Sequence, residues 1–307
     1  MKTAYLKTLT ELMRKDKKLI TITADMGFSV YEEMQKEFPE RFINTGVTEQ
    51  GSMSFAAGMA LADYKVFIYA QGIFITMRCL EQVRLDVAYN HLNVKIIGVN
   101  CGFSLNQLGV SHFALEDVAL MRMLPGMTIF TPGDPMEMKW AVKKAYEIDG
   151  PTYLRFTKMG NTVIHTNKTK FVMGEPVKLT QGKDATFFVS GGILEIAKEV
   201  ILQLKKQNIN IALYSVPTIK PLNEKIYIEI MKQSKYVFTL EEHSIIGGLG
   251  SAVAELISEN NLQTSLVRLG TPDKFTSITG SMEYLLKYNQ LSSVQIAQTI
   301  KKQLKKL

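Results

Sequence analysis

The chain has 307 residues, 46% of them hydrophobic and 21% charged, with a formal net charge of +7. This length is about twice that of an ordinary domain and the balance is that of a globular protein, so two compact domains are expected. No apolar run reaches the ~18 residues that cross a bilayer, and no Arg-rich stripe with interleaved aromatics appears, so neither a membrane nor a nucleic acid is an expected partner.

Lys7 and Glu11 interrupt any leader-like start, which argues against a signal peptide. The helical spacing of Tyr5, Leu6, Leu9, Leu12 and Met13 leads into a β-rich run at Leu19–Thr23. A strand-like stretch from Arg41 to Asn44 meets a Gly turn. A helix of small and apolar residues then opens at Glu49. Strands are expected at Lys65–Ala70, Val94–Val99, Thr128–Phe130 and Tyr153–Phe156, separated by helices at Ile75–Tyr89, Glu116–Met123 and Met136–Tyr146. Strands alternating with helices imply a doubly wound, mainly parallel sheet.

Residues 1–160 form the first expected domain. The periodicity lapses across 161–183, where Thr, Asn, Lys and Gly accumulate, and this stretch reads as a linker. Alternation resumes over 184–307, with strands at Ala185–Val189, Ile211–Tyr214, Tyr236–Leu240 and Ser265–Leu269. The fold class expected is therefore α/β, with two doubly wound domains.

The two cysteines, Cys79 and Cys101, have no His or Cys at ligand spacing. They point to neither a disulfide framework nor zinc and suit a reduced cytoplasmic protein. Glu241, Glu242 and His243 are adjacent on one expected strand, so their side chains alternate between faces instead of converging on a metal. Gly247-Gly248-Leu249-Gly250 lacks the spacing of a dinucleotide fingerprint and reads as a tight turn opening a packed helix.

The most informative segment is Asn44-Thr45-Gly46-Val47-Thr48-Glu49-Gln50-Gly51. An acid in the first turn of a helix is often only a dipole partner. This helix, however, is too apolar on all sides to lie on a surface, and a carboxylate beside a dry contact needs a partner. The segment resembles the pyrimidine-binding motif of thiamine-diphosphate enzymes of the transketolase type, roughly G-[IV]-x-E-[HQ]. Gln82-Val83-Arg84-Leu85-Asp86, Gly109-Val110-Ser111-His112, Leu124-Pro125-Gly126-Met127 and Glu241 to Ala252 continue the resemblance in register.

The resemblance implies that Glu49 hydrogen-bonds the cofactor's aminopyrimidine and that His112 faces the cofactor pocket and steers protons. The stacking ring of the family falls at Ile75, with Phe74 adjacent, so either residue can cover the pyrimidine. Arg78, one turn beyond Phe74, points to the same region. Asp25, otherwise a turn former, lies where relatives approach the cofactor. Ser29, Arg155 and Lys158 fall at expected substrate contacts, Lys158 as a phosphate-holding cation. Asn100 stands where relatives often have His or Asp, and Leu108 replaces an acid that binds substrate hydroxyls. Both departures shift the expected preference away from ordinary sugar phosphates.

Family members hold magnesium and the cofactor diphosphate through a G-D-G segment. Here the nearest match is Gly133-Asp134-Pro135, and Pro135 has no backbone N–H to donate. The resemblance therefore implies a C-terminal subunit of a split transketolase: a pyrimidine-binding domain and a C-terminal domain. It would assemble as α2β2 with an N-terminal, diphosphate-binding subunit that supplies most of the magnesium site. Transfer of a two-carbon ketol unit between sugars or sugar phosphates is the activity implied. The rivals are an E1 β subunit of a 2-oxo-acid dehydrogenase, a 1-deoxyxylulose-5-phosphate synthase-like activity, and a non-catalytic scaffold of the same fold.

Overall fold

The computed structural model describes residues 1–27 and 30–305. The strands, in chain order, are β1 (Leu19–Thr23), β2 (Phe42–Asn44), β3 (Lys65–Gln71), β4 (Val94–Cys101), β5 (Thr128–Phe130), β6 (Thr152–Thr157), β7 (Val177–Lys178), β8 (Ala185–Ser190), β9 (Ile211–Ser215), β10 (Thr218–Lys220), β11 (Tyr236–Ser244) and β12 (Ser265–Thr271).

A seven-stranded sheet has the order β10-β5-β6-β4-β3-β1-β2, and a five-stranded sheet the order β12-β11-β8-β9-β7. Pairing is parallel throughout except for β10 on β5 and β7 on β9. Central strands such as Leu19–Thr23 and Ala185–Ser190 are buried along their whole length. Sheets covered by helices on both faces produce such unbroken apolar runs instead of an alternating pattern.

Helix Lys2–Lys15 buries Tyr5, Leu9 and Met13, residues four apart, on one face of the first sheet beside helix Pro135–Glu147. The latter starts sharply because Asp134 caps Met136 N and Glu137 N, with Pro135 in the first turn. Helix Glu49–Leu61 covers the opposite face through Met53, Ala56 and Ala57. In place of the single helix expected over 75–89, π-helical turns at Phe74–Arg78 and Val83–Ala88 flank a short α turn at Leu80–Gln82. Such wide turns change which residues share a face and recur at functional sites.

One apolar cluster joins the two sheets, and a second, around Phe187 and Phe238, belongs mainly to the second sheet. Phe188, Tyr214, Val237 and Leu249 from the second half join Ile20, Ile68 and Ile129 in the first of these. No sequence pattern marks β10. Its residues lie beyond the expected linker yet pair with β5, and Thr131 N donates to Pro217 O at 2.9 Å alongside. No described helix is long and apolar enough to cross a membrane.

Candidate active site

In a doubly wound sheet, the ends of the parallel strands are where ligands are met, because the loops there are free of the packed core. β1 and β2 end side by side. Asp25 N donates to Asn44 Oδ1 at 3.0 Å, and Asn44 Nδ2 donates to Asp25 Oδ1 at 3.3 Å. Asn44 Oδ1 also accepts Gly46 N at 3.0 Å, which shapes the turn before Glu49. Asp25 is exposed and forms the rim of this turn. Ser29 lies outside the described residues.

Glu49 opens its helix with its carboxylate buried. Arg78 Nη1 donates to Glu49 Oε2 at 2.6 Å, and no described residue donates to the second oxygen. The Arg78 guanidinium lies over the Phe74 ring, 4.2 Å from its centroid. Phe74 in turn meets the His112 ring edge-on, 5.1 Å between centroids. Glu49, Arg78, Phe74 and His112 thus form one continuous string of contacts. Ile75 is completely buried in the core under the sheet, so Phe74 is the residue of the two that faces this string.

Gln71, at the end of β3, belongs to no sequence motif and joins the next pieces. Asn100 Nδ2 donates to Gln71 Oε1 at 3.1 Å, and Gln71 Nε2 donates to His112 O at 3.2 Å. Asn100 has φ +52, so β4 turns sharply at its end. The one sequence signal for Gln71 is its position at a strand end before Gly72. Leu108 is exposed on the loop that carries His112. Lys158 is exposed at the end of β6, and its N donates to Ser104 Oγ at the base of that loop, at 2.8 Å.

Arg155 does not join this group. Its Nε donates to Asp117 Oδ2 at 2.7 Å, and Nη2 donates to Ala114 O and Glu242 O at 3.0 and 2.9 Å. Both partners of the ion pair are buried. Asp117 is fully buried and is held ionised, against the cost of burial, chiefly by the neighbouring Arg155. A buried carboxylate must be paired, so the guanidinium turns inward and not toward a ligand.

The groups near Glu241 are likewise structural. Glu241 accepts Leu249 N and Gly250 N, both at 2.8 Å, capping the helix Leu249–Glu259. His243 Nε2 accepts Ala119 N at 3.3 Å. Asp134 has both oxygens engaged, by Met136 N, Glu137 N, Ile164 N and His165 N. That leaves the Gly133-Asp134-Pro135 turn unfit to hold a cation. Among the described residues, no group of three or more His, Cys, Asp or Glu is placed to bind a metal ion.

A buried carboxylate with one oxygen unclaimed by described donors, beside an aromatic ring and a cation, fits the polar edge of an aminopyrimidine. Residues 1–162 match the transketolase pyrimidine-binding domain, and residues 174–296 match the transketolase C-terminal domain. The chain is 38% identical to a protein of Methanocaldococcus jannaschii provisionally named a transketolase C-terminal section, covering 100% of this chain and 96% of that one. It is 33% identical to one of the subunits of an apulose-4-phosphate transketolase of Phocaeicola vulgatus, over 88% of this chain and 87% of that one. A solved structure described as the inactive β4 tetramer of a split-gene transketolase superposes with a TM-score of 0.88 at 34% identity, covering 99% of this chain and 97% of that one. The chain belongs to the transketolase family and corresponds to its pyrimidine-binding and C-terminal parts.

Proposed function

We propose that this chain is the C-terminal subunit of a thiamine-diphosphate-dependent transketolase and works only with a diphosphate-binding partner chain. The reaction is transfer of a two-carbon ketol unit from a ketose to an aldose acceptor. The observation that carries the reading is the buried Glu49 carboxylate at a helix start, contacted by Arg78 and leading through Phe74 to His112.

The cofactor, when bound, supplies the carbanion chemistry that breaks and remakes the carbon–carbon bond. Glu49 holds the pyrimidine edge and governs its protonation. Phe74 and Arg78 line the approach, and Asp25 borders it. His112 and Asn100 face the substrate, with His112 as the acid–base group, and Lys158 receives an anionic substituent at the rim. Arg155 is left out of this pocket, since it is buried and its Nε and Nη2 donate to Asp117 and two carbonyls. We assign the two units to 1–160 and 184–307 with 161–183 between them, β7 of that stretch pairing with β9 of the second sheet and β10 reaching back from the second unit onto β5.

The partner supplies the diphosphate and magnesium sites. In the chain alone the helix beginning at Glu49 has a bare face, with Phe55 42% and Leu61 72% exposed, and the following helical stretch leaves Leu85 and Tyr89 uncovered. Apolar side chains clustered this way mark a protein interface. This face is assigned to the partner, in an α2β2 assembly located in the cytoplasm. One of the relatives is named for a sugar phosphate, and the exposed Lys158 suits a phosphorylated substrate.

The test is reconstitution with a diphosphate-binding subunit, thiamine diphosphate and magnesium. Ketol transfer from a ketose to an aldehyde is expected from the mixture and from neither chain alone. Decarboxylation of a 2-oxo acid without ketol transfer would overturn the reading in favour of an E1 β subunit.

A further inference from the structure

His112 sits on an excursion between β4 and the helix Asp117–Arg122, and much of what holds this excursion comes from the second half of the chain. At its base Gly102 has φ +64 and lies so close to the Glu242 carboxylate that a Cβ would collide with it. Phe103 N donates to Glu242 Oε1 at 2.7 Å. The rings of Phe103 and Phe113 meet edge-on at 5.1 Å, and both are packed into the apolar cluster of the second sheet, with Phe187 and Phe238. On the return, Ser244 N donates to Leu115 O at 2.8 Å.

The tip is held by a separate contact. Asn106 Nδ2 donates to Gly280 O at 2.5 Å, and Gly280 N donates to Asn106 O at 3.3 Å. Thr279 lies against Gly109, where an added Cβ would come within 3.2 Å of its methyl group. The segment making these contacts is itself fixed at both ends. Thr276 Oγ1 donates to the buried Asn289 Oδ1 at 3.0 Å, and Ser281 Oγ accepts Tyr284 N at 3.1 Å as the cap of helix Met282–Tyr288.

We propose that segment 276–281 is a strut that sets the position of the His112 loop, with Asn106 as its positioning residue. The C-terminal unit then takes part in substrate handling without touching substrate. The inference rests on the reading of His112 as substrate-facing. A reacting group displaced by ~1 Å loses up to ~10²-fold in rate, so a clasp of this kind controls turnover from a distance. The reciprocal pair at Asn106, with a longer bond from Gln107 Nε2 to Gly280 O at 3.5 Å, fixes the orientation of the tip as well as its distance, in addition to the hydrogen bonds and apolar packing at the base.

The experiment uses Asn106→Ala and the isosteric Asn106→Asp, which cannot donate to Gly280 O. In the assembled enzyme both variants should lower kcat/KM for ketol transfer about tenfold, while thiamine diphosphate affinity and thermal midpoint stay as in the wild type. In the isolated chain, hydrogen exchange at residues 106–112 should accelerate, with the rest of the first sheet unchanged. Unchanged exchange at 106–112, or an unchanged kcat/KM in an active assembled enzyme, overturns the strut. Loss of cofactor affinity in parallel with kcat/KM also overturns it, since it assigns the contact to general stability. An assembled wild-type enzyme with no ketol transfer overturns instead the functional reading beneath it, and the exchange arm then decides the strut by itself.

Discussion

Arg78 and Glu49 form an asymmetric ion pair, 2.6 Å between Nη1 and Oε2, in which the carboxylate is buried and the guanidinium side chain is 43% exposed. The helix N-terminus and Arg78 together offset the cost of withdrawing the carboxylate from water. Water still reaches the guanidinium, so the pair holds the carboxylate in place without sealing it off.

Glu49→Gln keeps the shape of the side chain and removes its charge. Turnover of the reconstituted enzyme should fall at least ~10²-fold, the loss typical of one acid–base group, with the thermal midpoint little changed. Steady-state kinetics beside a melting curve check this, and wild-type rates would remove Glu49 from the chemistry.

Arg155→Ala should act on folding instead. It leaves Asp117 fully buried without its counter-charge, a change that costs about 3–5 kcal/mol for such pairs. Denaturant unfolding should show the loss. A stable variant with a raised KM would show that Arg155 serves substrate after all.

Lys158 is exposed, so Lys158→Ala should leave stability within about 0.5 kcal/mol. KM for a phosphorylated ketose should rise more than KM for its neutral counterpart. Equal effects on both substrates would assign the phosphate elsewhere.

Stability should also vary with pH. Burial pushes the Glu242 carboxyl up to about 7, against the pull of Arg155, and burial likewise raises Glu137 to about 7, from an ordinary 4.5. A carboxyl whose folded pKa exceeds its unfolded value takes up a proton on folding. Its contribution is whole below about pH 4.5 and is lost as the pH rises through about 7. Asp134 runs the other way. Despite burial, hydrogen bonds from His165 and backbone amides hold it down at about 2, so its contribution disappears only in strong acid, as the pH falls from 3.8 toward 2. Thermal midpoints should therefore decline between about pH 5 and 7.5, and Glu242→Gln should flatten part of that slope and raise the midpoint above about pH 7. An unchanged slope in the variant would exclude Glu242 as a source.

The strands are legible because buried parallel strands are written as unbroken β-branched and aromatic runs, as in Leu19–Thr23 and Lys65–Ala70. Glu49 is legible because one charge among small apolar residues is conspicuous. The rest depends on distances that a sequence does not state. Asp117 and Arg155 are 38 positions apart, and nothing local indicates that one turns the other inward. The π-helical turns at Phe74–Arg78 lengthen the helical repeat, so a count at ordinary spacing cannot say which of Phe74 and Ile75 faces the pocket. Gln71 reads as one more strand residue, and its role comes from lying between Asn100 and His112. The open face around Phe55 explains the helix that looks too apolar for a surface.

The pairing of β10 with β5 bears on how the chain is made. During synthesis the edge of the first sheet stays open after its own strands have emerged, and closes only when residues 218–220 leave the ribosome. A fragment ending at residue 183 would carry β5 as a bare edge, which invites association with other chains. It would also lack the apolar residues that Phe188, Tyr214 and Val237 bring to the shared core. The two halves therefore depend on each other: a chain severed between them leaves an edge strand unpaired and an apolar cluster half built.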